Sequence, residues 1–304
     1  MSADSGGGRL MHRAAIASVC VSLFLLALKA VAYFASNSVA MLASLADSAL
    51  DLFTASLNLF AIHEALTPPD KEHRFGHGKA EPLAGLAQGA FITASALFLV
   101  IQGITRILAP EPIEHSILAL LVMCVSIASA ICLILYERQV VTKTGSVAVN
   151  ADRMHYLGDL ATNVGVVLAI VLATWLGWLL ADPVIAIVVA AIMLYSAWAV
   201  GRQSLDQLMD HELPDEDRAR IVQIVRSHAA VRSLHDLRTR AAGLSRFIQV
   251  HIELDPAMLL SEAHAVSDAV ERDLCGAFPG AEVIIHQDPE GLEPSDSPIG
   301  RGRI

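Results

Sequence analysis

The stretch "ASLADSALDLFTASLNLF", residues 43–60, decides how this chain is read. It is apolar enough to be a membrane helix, yet it carries Asp47 and Asp51 one helical turn apart. The surrounding composition agrees with a membrane setting: of 304 residues, 54% are hydrophobic and 17% charged, a balance that excludes an ordinary soluble domain. A formal net charge of -10 and scattered Lys and Arg exclude a nucleic-acid binder.

A spanning helix needs roughly 20 mostly apolar residues. Six segments qualify, at approximately 12–35, 40–63, 82–108, 116–137, 147–176 and 183–204. The first is longer than the ~7 to 15 apolar residues of a signal-peptide core, so it reads as a retained span. Arg9 and Arg13, then Lys71, Arg74 and Lys79, then Arg138 and Lys143, then Arg202 fall on one side of these segments, against Arg106 on the other. The basic side is expected to be cytoplasmic, with both termini there. Cys20, Cys124, Cys132 and Cys275 show no Cys-x-x-Cys spacing and read as packing residues.

From residue 211 the pattern becomes that of a small soluble domain. "LPDEDRARIVQIVRSH" (213–228) reads as a helix with Pro214 and Asp215 at its start and Ile221, Ile224 and Val225 on one face. "HDLRTRAAGLSRFIQVHIEL" (235–254) reads as two strands around Gly243. "SEAHAVSDAVERDLCGAF" (261–278) has helical periodicity and "AEVIIHQD" (281–288) is a short strand, an α-β-β-α-β order that predicts an antiparallel sheet covered on one face by helices. The expected organisation is a flexible N-terminus (1–11), a six-helix all-α membrane domain (12–208), an α+β domain (209–290) and a disordered tail (291–304) rich in Pro, Gly and Ser.

Each charged residue near a span's centre costs about 2.5 to 3.5 kcal/mol, so Asp47, Asp51 and Asp159 demand a compensating function. Asp47 and Asp51 stand at i and i+4, and so do His155 and Asp159 in "MHYLGDLATN" (154–163). If the two faces meet, three carboxylates and an imidazole offer four N/O ligands to a divalent cation such as zinc. Without metal, the crowded carboxylates take up protons instead, so metal and protons compete for the same groups. That competition is the physical basis of cation-proton exchange in a site that faces each side in turn. Lys29 reads as a snorkelling residue.

Outside the spans, Asp70, His73 and His77 form a D-x-x-H-x-x-x-H pattern in "TPPDKEHRFGHGKAEP" (67–82), enough to hold zinc with water as a fourth ligand. His235, His251, His264, His286 and Asp288 concentrate in the soluble domain and suggest a metal cluster. "HEALT" (63–67) lacks the second His of a zinc protease, "TKTGS" (142–146) has Thr142 where an aspartyl-phosphate ATPase needs Asp, and no Walker-type loop is present. The energy for any transport must then come from ion gradients.

These residues resemble the cation diffusion facilitator family over nearly the whole chain. "LADSALD" (45–51) resembles its D-x-x-x-D, "HYLGD" (155–159) its H-x-x-x-D, and "HRFGHGKAEPLAGLAQ" (73–88) its histidine loop. "HDLRTR" (235–240), "RFIQVHIEL" (246–254) and "VIIHQDP" (283–289) resemble its cytoplasmic domain. The resemblance implies a homodimer of six-span protomers with ferredoxin-like cytoplasmic domains in a bacterial inner membrane, exporting a divalent metal in exchange for protons. It implies a transport site of Asp47, Asp51, His155 and Asp159, and a loop site of Asp70, His73 and His77. It also implies a binuclear site of His235, His251, His264, His286 and Asp288, with the Gln287 backbone as a further contact. Lys79 and Asp210 match a charge interlock and Met154 an apolar gate. Arg74 departs from the pattern by placing positive charge beside the loop site. Zinc is the expected metal; cadmium, iron(II), cobalt and nickel are also chemically admissible, whereas magnesium and calcium prefer all-oxygen shells. The alternative reading is a membrane-anchored metal sensor that binds without moving ions.

Overall fold

The computed structural model describes residues 6–36, 39–108, 117–176 and 180–291. The sequence stretches at 1–5 and 292–304, which hold parts of the expected flexible N-terminus and disordered tail, lie outside the described residues. The chain divides into two compact units between Leu205 and Asp206.

The first unit is helical: α1 (Gly6–Ser36), α2 (Val39–Ala65), α3 (Ala80–Leu108), α4 (Ile117–Thr144), α5 (Val147–Leu176) and α6 (Ala181–Leu208). The first helix begins at Gly6 rather than near residue 12. Five of the six, α1, α2, α3, α4 and α6, contain stretches long and apolar enough to cross a membrane, which makes the chain a multi-pass membrane protein. Their large apolar side chains face outward, Phe34, Phe98, Tyr195 and Trp198 among them, as a lipid solvent permits.

Local chemistry fixes where α5 starts, and hence where its polar residues point. Gly145 takes φ +67 after α4, a left-handed conformation that glycine adopts without Cβ strain. Ser146 then caps α5, its Oγ accepting the Val149 N–H at 3.2 Å. Glu81 of α3, almost fully buried, accepts the Ala148 N–H at 3.4 Å, placing a carboxylate at the positive end of the helix dipole. The "TKTGS" segment is thus a helix stop followed by a helix start.

Small residues then let neighbouring helices approach, the usual packing device where lipid removes the hydrophobic drive between helices. A Cβ at Gly85 of α3 would lie 2.6 Å from Ser204 Oγ and 2.9 Å from Val147 Cγ1. On α5, a Cβ at Gly165 would meet Ile185 of α6 at 2.8 Å, and one at Gly158 would meet Met193 at 3.1 Å. Ile92 and Ala96 of α3 pack with Val189, Ala190, Met193 and Ala197 of α6, and Met154 of α5 joins them from its edge.

The second unit contains α7 (Asp215–Arg226), β1 (Ser233–Ala242), β2 (Ser245–Leu254), α8 (Leu260–Ala277) and β3 (Ala281–Pro289). Ile248, Val250, Ile252 and Leu254 of β2 form its core with Ile221 and Val225 of α7 and Val270 and Leu274 of α8. The sheet order is β1-β2-β3, with β1 antiparallel to β2 and β3 parallel to β2. The expectation of an antiparallel sheet is therefore corrected to a mixed one. A hairpin around Gly243 reverses the chain between β1 and β2, but α8 carries it back along the sheet before β3, so β3 runs the same way as β2.

Gly85→Ala is expected to overpack the helix contact and cost about 1–3 kcal/mol, lowering the unfolding temperature in detergent. Gly276→Ala, on α8 with open space at its Cβ position, should instead stabilise the second unit by about 0.5–1 kcal/mol. Thermal unfolding of the two variants side by side checks the contrast.

Candidate metal centres

In the helical unit, α2 and α5 bring Asp51, His155 and Asp159 together, one ligand atom of each within 4.8 Å of the others. His155 Nε2 lies 3.1 Å from Asp51 Oδ1 and 3.6 Å from Asp159 Oδ2. The imidazole is buried and the two carboxylates half-buried. Asp47, one turn before Asp51, is exposed and lies outside this group of three. Behind His155, the Tyr156 hydroxyl meets Ser22 Oγ at 2.7 Å and Ser18 Oγ at 3.3 Å, tying α5 to α1. Two carboxylates and one imidazole suit zinc or a similar borderline cation, with room in the coordination shell for Asp47 or solvent.

The loop between α2 and α3 makes the second cluster. Asp70 Oδ1 accepts backbone N–H groups from Glu72 at 2.8 Å and His73 at 2.6 Å, a turn that fixes the carboxylate. Its oxygens then reach His73 Nδ1 and His77 Nε2, each at 3.4 Å, and the two rings are 4.5 Å apart. The hydrogen bond from the His73 N–H, helped by that from Glu72, holds the Asp70 carboxyl below its ordinary range. Gly76, at φ +79, closes the turn. Glu64, from the last turns of α2, adds a carboxylate oxygen 3.7 Å from His77 Nε2. His77 Nδ1 is buried and has no partner among the described residues.

Strand register builds the third cluster. His235 pairs with His251 across β1 and β2, and His251 with His286 across β2 and β3, so three imidazoles form a row across the sheet. Val250, Ile252 and Leu254 point into the core, which leaves His251 and Glu253 on the opposite face. Asp288 joins the row, with Oδ2 3.0 Å from His251 Nδ1 and 3.3 Å from His235 Nε2, and Oδ1 3.2 Å from His286 Nε2.

Two further carboxylates arrive that the sequence reading did not single out. Glu253 Oε1 lies 3.5 Å from His235 Nδ1, and Asp236 Oδ2 3.8 Å from His251 Nε2. A register shift between His235 and Arg238, with Asp236 at φ +48, turns Asp236 toward His251. Arg238 holds both Asp236 oxygens, at 3.0 and 2.9 Å, and so offsets its charge. The i, i+2 spacing of His251 and Glu253 was a usable sequence signal; the bulge left none.

His264 stands apart on α8, 71% exposed, with Asp268 at 3.7 Å. The Gln287 side chain donates to Ser267 Oγ on α8 at 2.8 Å, so it faces away from the histidine row. Asp210, at φ +58 after α6, binds Arg240 at 3.1 Å, and Lys79 immediately precedes α3. Burial, and then Glu271, push the Cys275 thiol up, which disfavours it as a thiolate ligand.

Because Asp70 is held ionised, its charge persists through the ordinary carboxylate range and is lost only as pH falls below it. Asp70→Asn keeps an oxygen for the two backbone N–H groups, so the turn should persist while zinc affinity of the loop falls roughly tenfold or more; zinc titration with limited proteolysis of the loop reads both. Glu253→Gln should likewise weaken zinc binding at the sheet by about tenfold, measured in a protein whose other two clusters are disabled.

The chain is similar to known proteins along nearly its whole length. The family model described as "Cation efflux transmembrane domain" matches residues 15–209, and "Cation efflux protein, cytoplasmic domain" matches residues 213–290. The cation-efflux pump FieF of Klebsiella pneumoniae is 42% identical over 288 residues, 95% of this chain and 96% of its own length. FieF of Yersinia enterocolitica is 42% identical over 96% of this chain and 97% of its own length. Among solved structures, a chain described as "Mode of Action of a Putative Zinc Transporter CzrB" is 37% identical, covering 26% of this chain and 99% of its own, at a TM-score of 0.26. With both family models spanning the two units in order and the FieF pumps matching along almost their entire length, the chain belongs to the cation diffusion facilitator family of metal-efflux proteins.

Proposed function

We propose that the protein is a zinc-proton antiporter of the bacterial inner membrane, a homodimer whose protomers each cross the membrane six times with both termini in the cytoplasm. The observation that carries this reading is His155 Nε2 held between Asp51 and Asp159 in a half-buried cluster on two membrane helices. Intramembrane ionisable groups that converge in this way mark ion pathways. In this reading α5 is the sixth span despite its polar first half, because its polar face turns toward α1 and α2.

Asp51, His155 and Asp159 bind the transported cation, and Asp47, one turn along α2, completes the shell as metal enters or leaves. A 2+ cation and protons compete for the same carboxylates, so alternate exposure of the site couples their opposite movements. Met154, packed between α3 and α6, supplies the apolar gate beside His155.

The ferredoxin-like second unit lies in the cytoplasm and senses the same metal. Three imidazoles with Asp288 and Glu253 give enough donors for two cations. His264, exposed and on the helical layer, joins that site from a second copy, with the Gln287 backbone as a further contact. Metal there draws two domains together and biases the transport equilibrium. The Asp70–His73–His77 loop gathers cations at the mouth, with affinity reduced by Arg74. Zinc is the main cargo; cadmium, iron(II), cobalt and nickel share its donor preferences.

Reconstituted in proteoliposomes under an imposed pH gradient, the wild-type protein should move zinc, and Asp51→Ala should abolish that flux while leaving folding and metal binding by the second unit intact. Zinc binding without flux in the wild type would leave a sensor; full flux in Asp51→Ala would sink the site assignment.

A further inference from the structure

Glu137 and Asp152 take no part in the three metal centres. Glu137, near the end of α4, and Asp152, in the second turn of α5, are 0% and 1% exposed. Their carboxylate oxygens make no well-formed hydrogen bond among the described residues, although Ser18 and Asn58 stand within reach of Asp152, and the two carboxyl groups face each other within reach of a hydrogen bond. With both ionised, this is a contact between two acceptors of like charge, away from water. One proton converts it into an O–H···O bond and removes one buried charge.

The groups around the pair set its charge balance. Arg153 is the cation facing Glu137, with its guanidinium donating to Asn150 Oδ1 at 2.8 Å. Around Asp152 stand Ser18 of α1, Asn58 of α2 and, on its own helix, His155 and Tyr156. Asn58 is itself 5% exposed, and its Nδ2 has no well-formed hydrogen bond. With His155 committed to Asp51 and Asp159, Arg153 can cancel only one of the two carboxylates. Three residues separate Asp152 from His155, so the pair sits about 4.5 Å along the helix axis from a metal ligand, on the side of the α4–α5 turn.

We propose that Glu137 and Asp152 form a proton-holding carboxyl pair, separate from the transport ligands, that carries one proton while the membrane cluster is free of metal and releases it when a divalent cation binds there. The O–H bond on one carboxyl breaks and the proton leaves to bulk water, because the bound cation cancels the negative charge of Asp51 and Asp159 one turn away that had helped retain it. The proposal rests on the reading that Asp51, His155 and Asp159 bind the cation, but it does not require transport.

The test is zinc binding to the full-length protein in detergent, with His77→Ala and Asp288→Ala disabling the other clusters. Calorimetry in buffers of different ionisation enthalpy gives the protons released per zinc. Glu137→Gln, whose amide can donate to Asp152 in place of the proton, should still bind zinc but release about one proton fewer, and its Kd should change about tenfold less per pH unit. Asp152→Asn should show the same deficit, and thermal unfolding confirms that each variant is folded. Unchanged proton release in a folded, zinc-binding variant overturns the pair. Failure of the parent to bind zinc overturns the metal assignment and the pair with it, whereas binding without flux overturns only the antiport reading.

Discussion

A carboxylate on a membrane helix needs a partner, and the way His155 answers that need for Asp51 and Asp159 is the constraint on which the helical unit depends. Each such carboxylate costs about 2.5 to 3.5 kcal/mol to insert near the centre of a span. The contacts at 3.1 and 3.6 Å require α5 to present one face to α2 in a fixed rotation, since one residue of slippage turns a helical side chain by about 100°. Gly145 and Ser146 set the start of that helix, Glu81 receives a second N-terminal N–H, and Gly158 and Gly165 let α6 close behind it. The glycines and the cap therefore serve the chemistry by setting rotation and depth.

The second unit solves the same problem with a sheet. One face of β2 is committed to the core by Val250, Ile252 and Leu254, so the alternate residues His251 and Glu253 are free for ligands. Pairing register then aligns His235, His251 and His286 without a loop to position them. Rigid strands place donors more reproducibly than a loop can. By contrast, the Asp70 cluster depends on two backbone N–H groups and one glycine to hold its shape.

Much of this was legible along the chain. Five of the six long helices follow from apolar length, while α5 is too polar in its first half to meet it, and the α-β-β-α-β order follows from period changes and the turn at Gly243. The i, i+4 spacing of His155 and Asp159 places both on one helix face, and the spacing of Asp70, His73 and His77 anticipates their proximity. What could not be read depends on tertiary direction. The parallel run of β3 arises from the path of α8, and the turn of Asp236 toward His251 from a register shift. Asp47 shares the helical spacing of Asp51 but stands outside the tight group, because spacing fixes a face and not the distance to a second helix. Glu64, Glu137 and Asp152 carry no motif; only packing reveals what each one meets.

Charge balance links these features. In the antiport reading, Asp51 and Asp159 carry two negative charges, and either one divalent cation or two protons cancels them. Both loaded states then have the same formal charge, so neither leaves an uncompensated ion within the membrane. A cluster of three carboxylates would lack that symmetry, which agrees with the position of Asp47 outside the tight group. In the metal-free state Glu137 and Asp152 are balanced one turn away, where Arg153 cancels one carboxylate and the proposed proton the other. A cation arriving beside His155 changes the field at both places, so the buried pair feels the occupancy of the metal cluster without touching the metal.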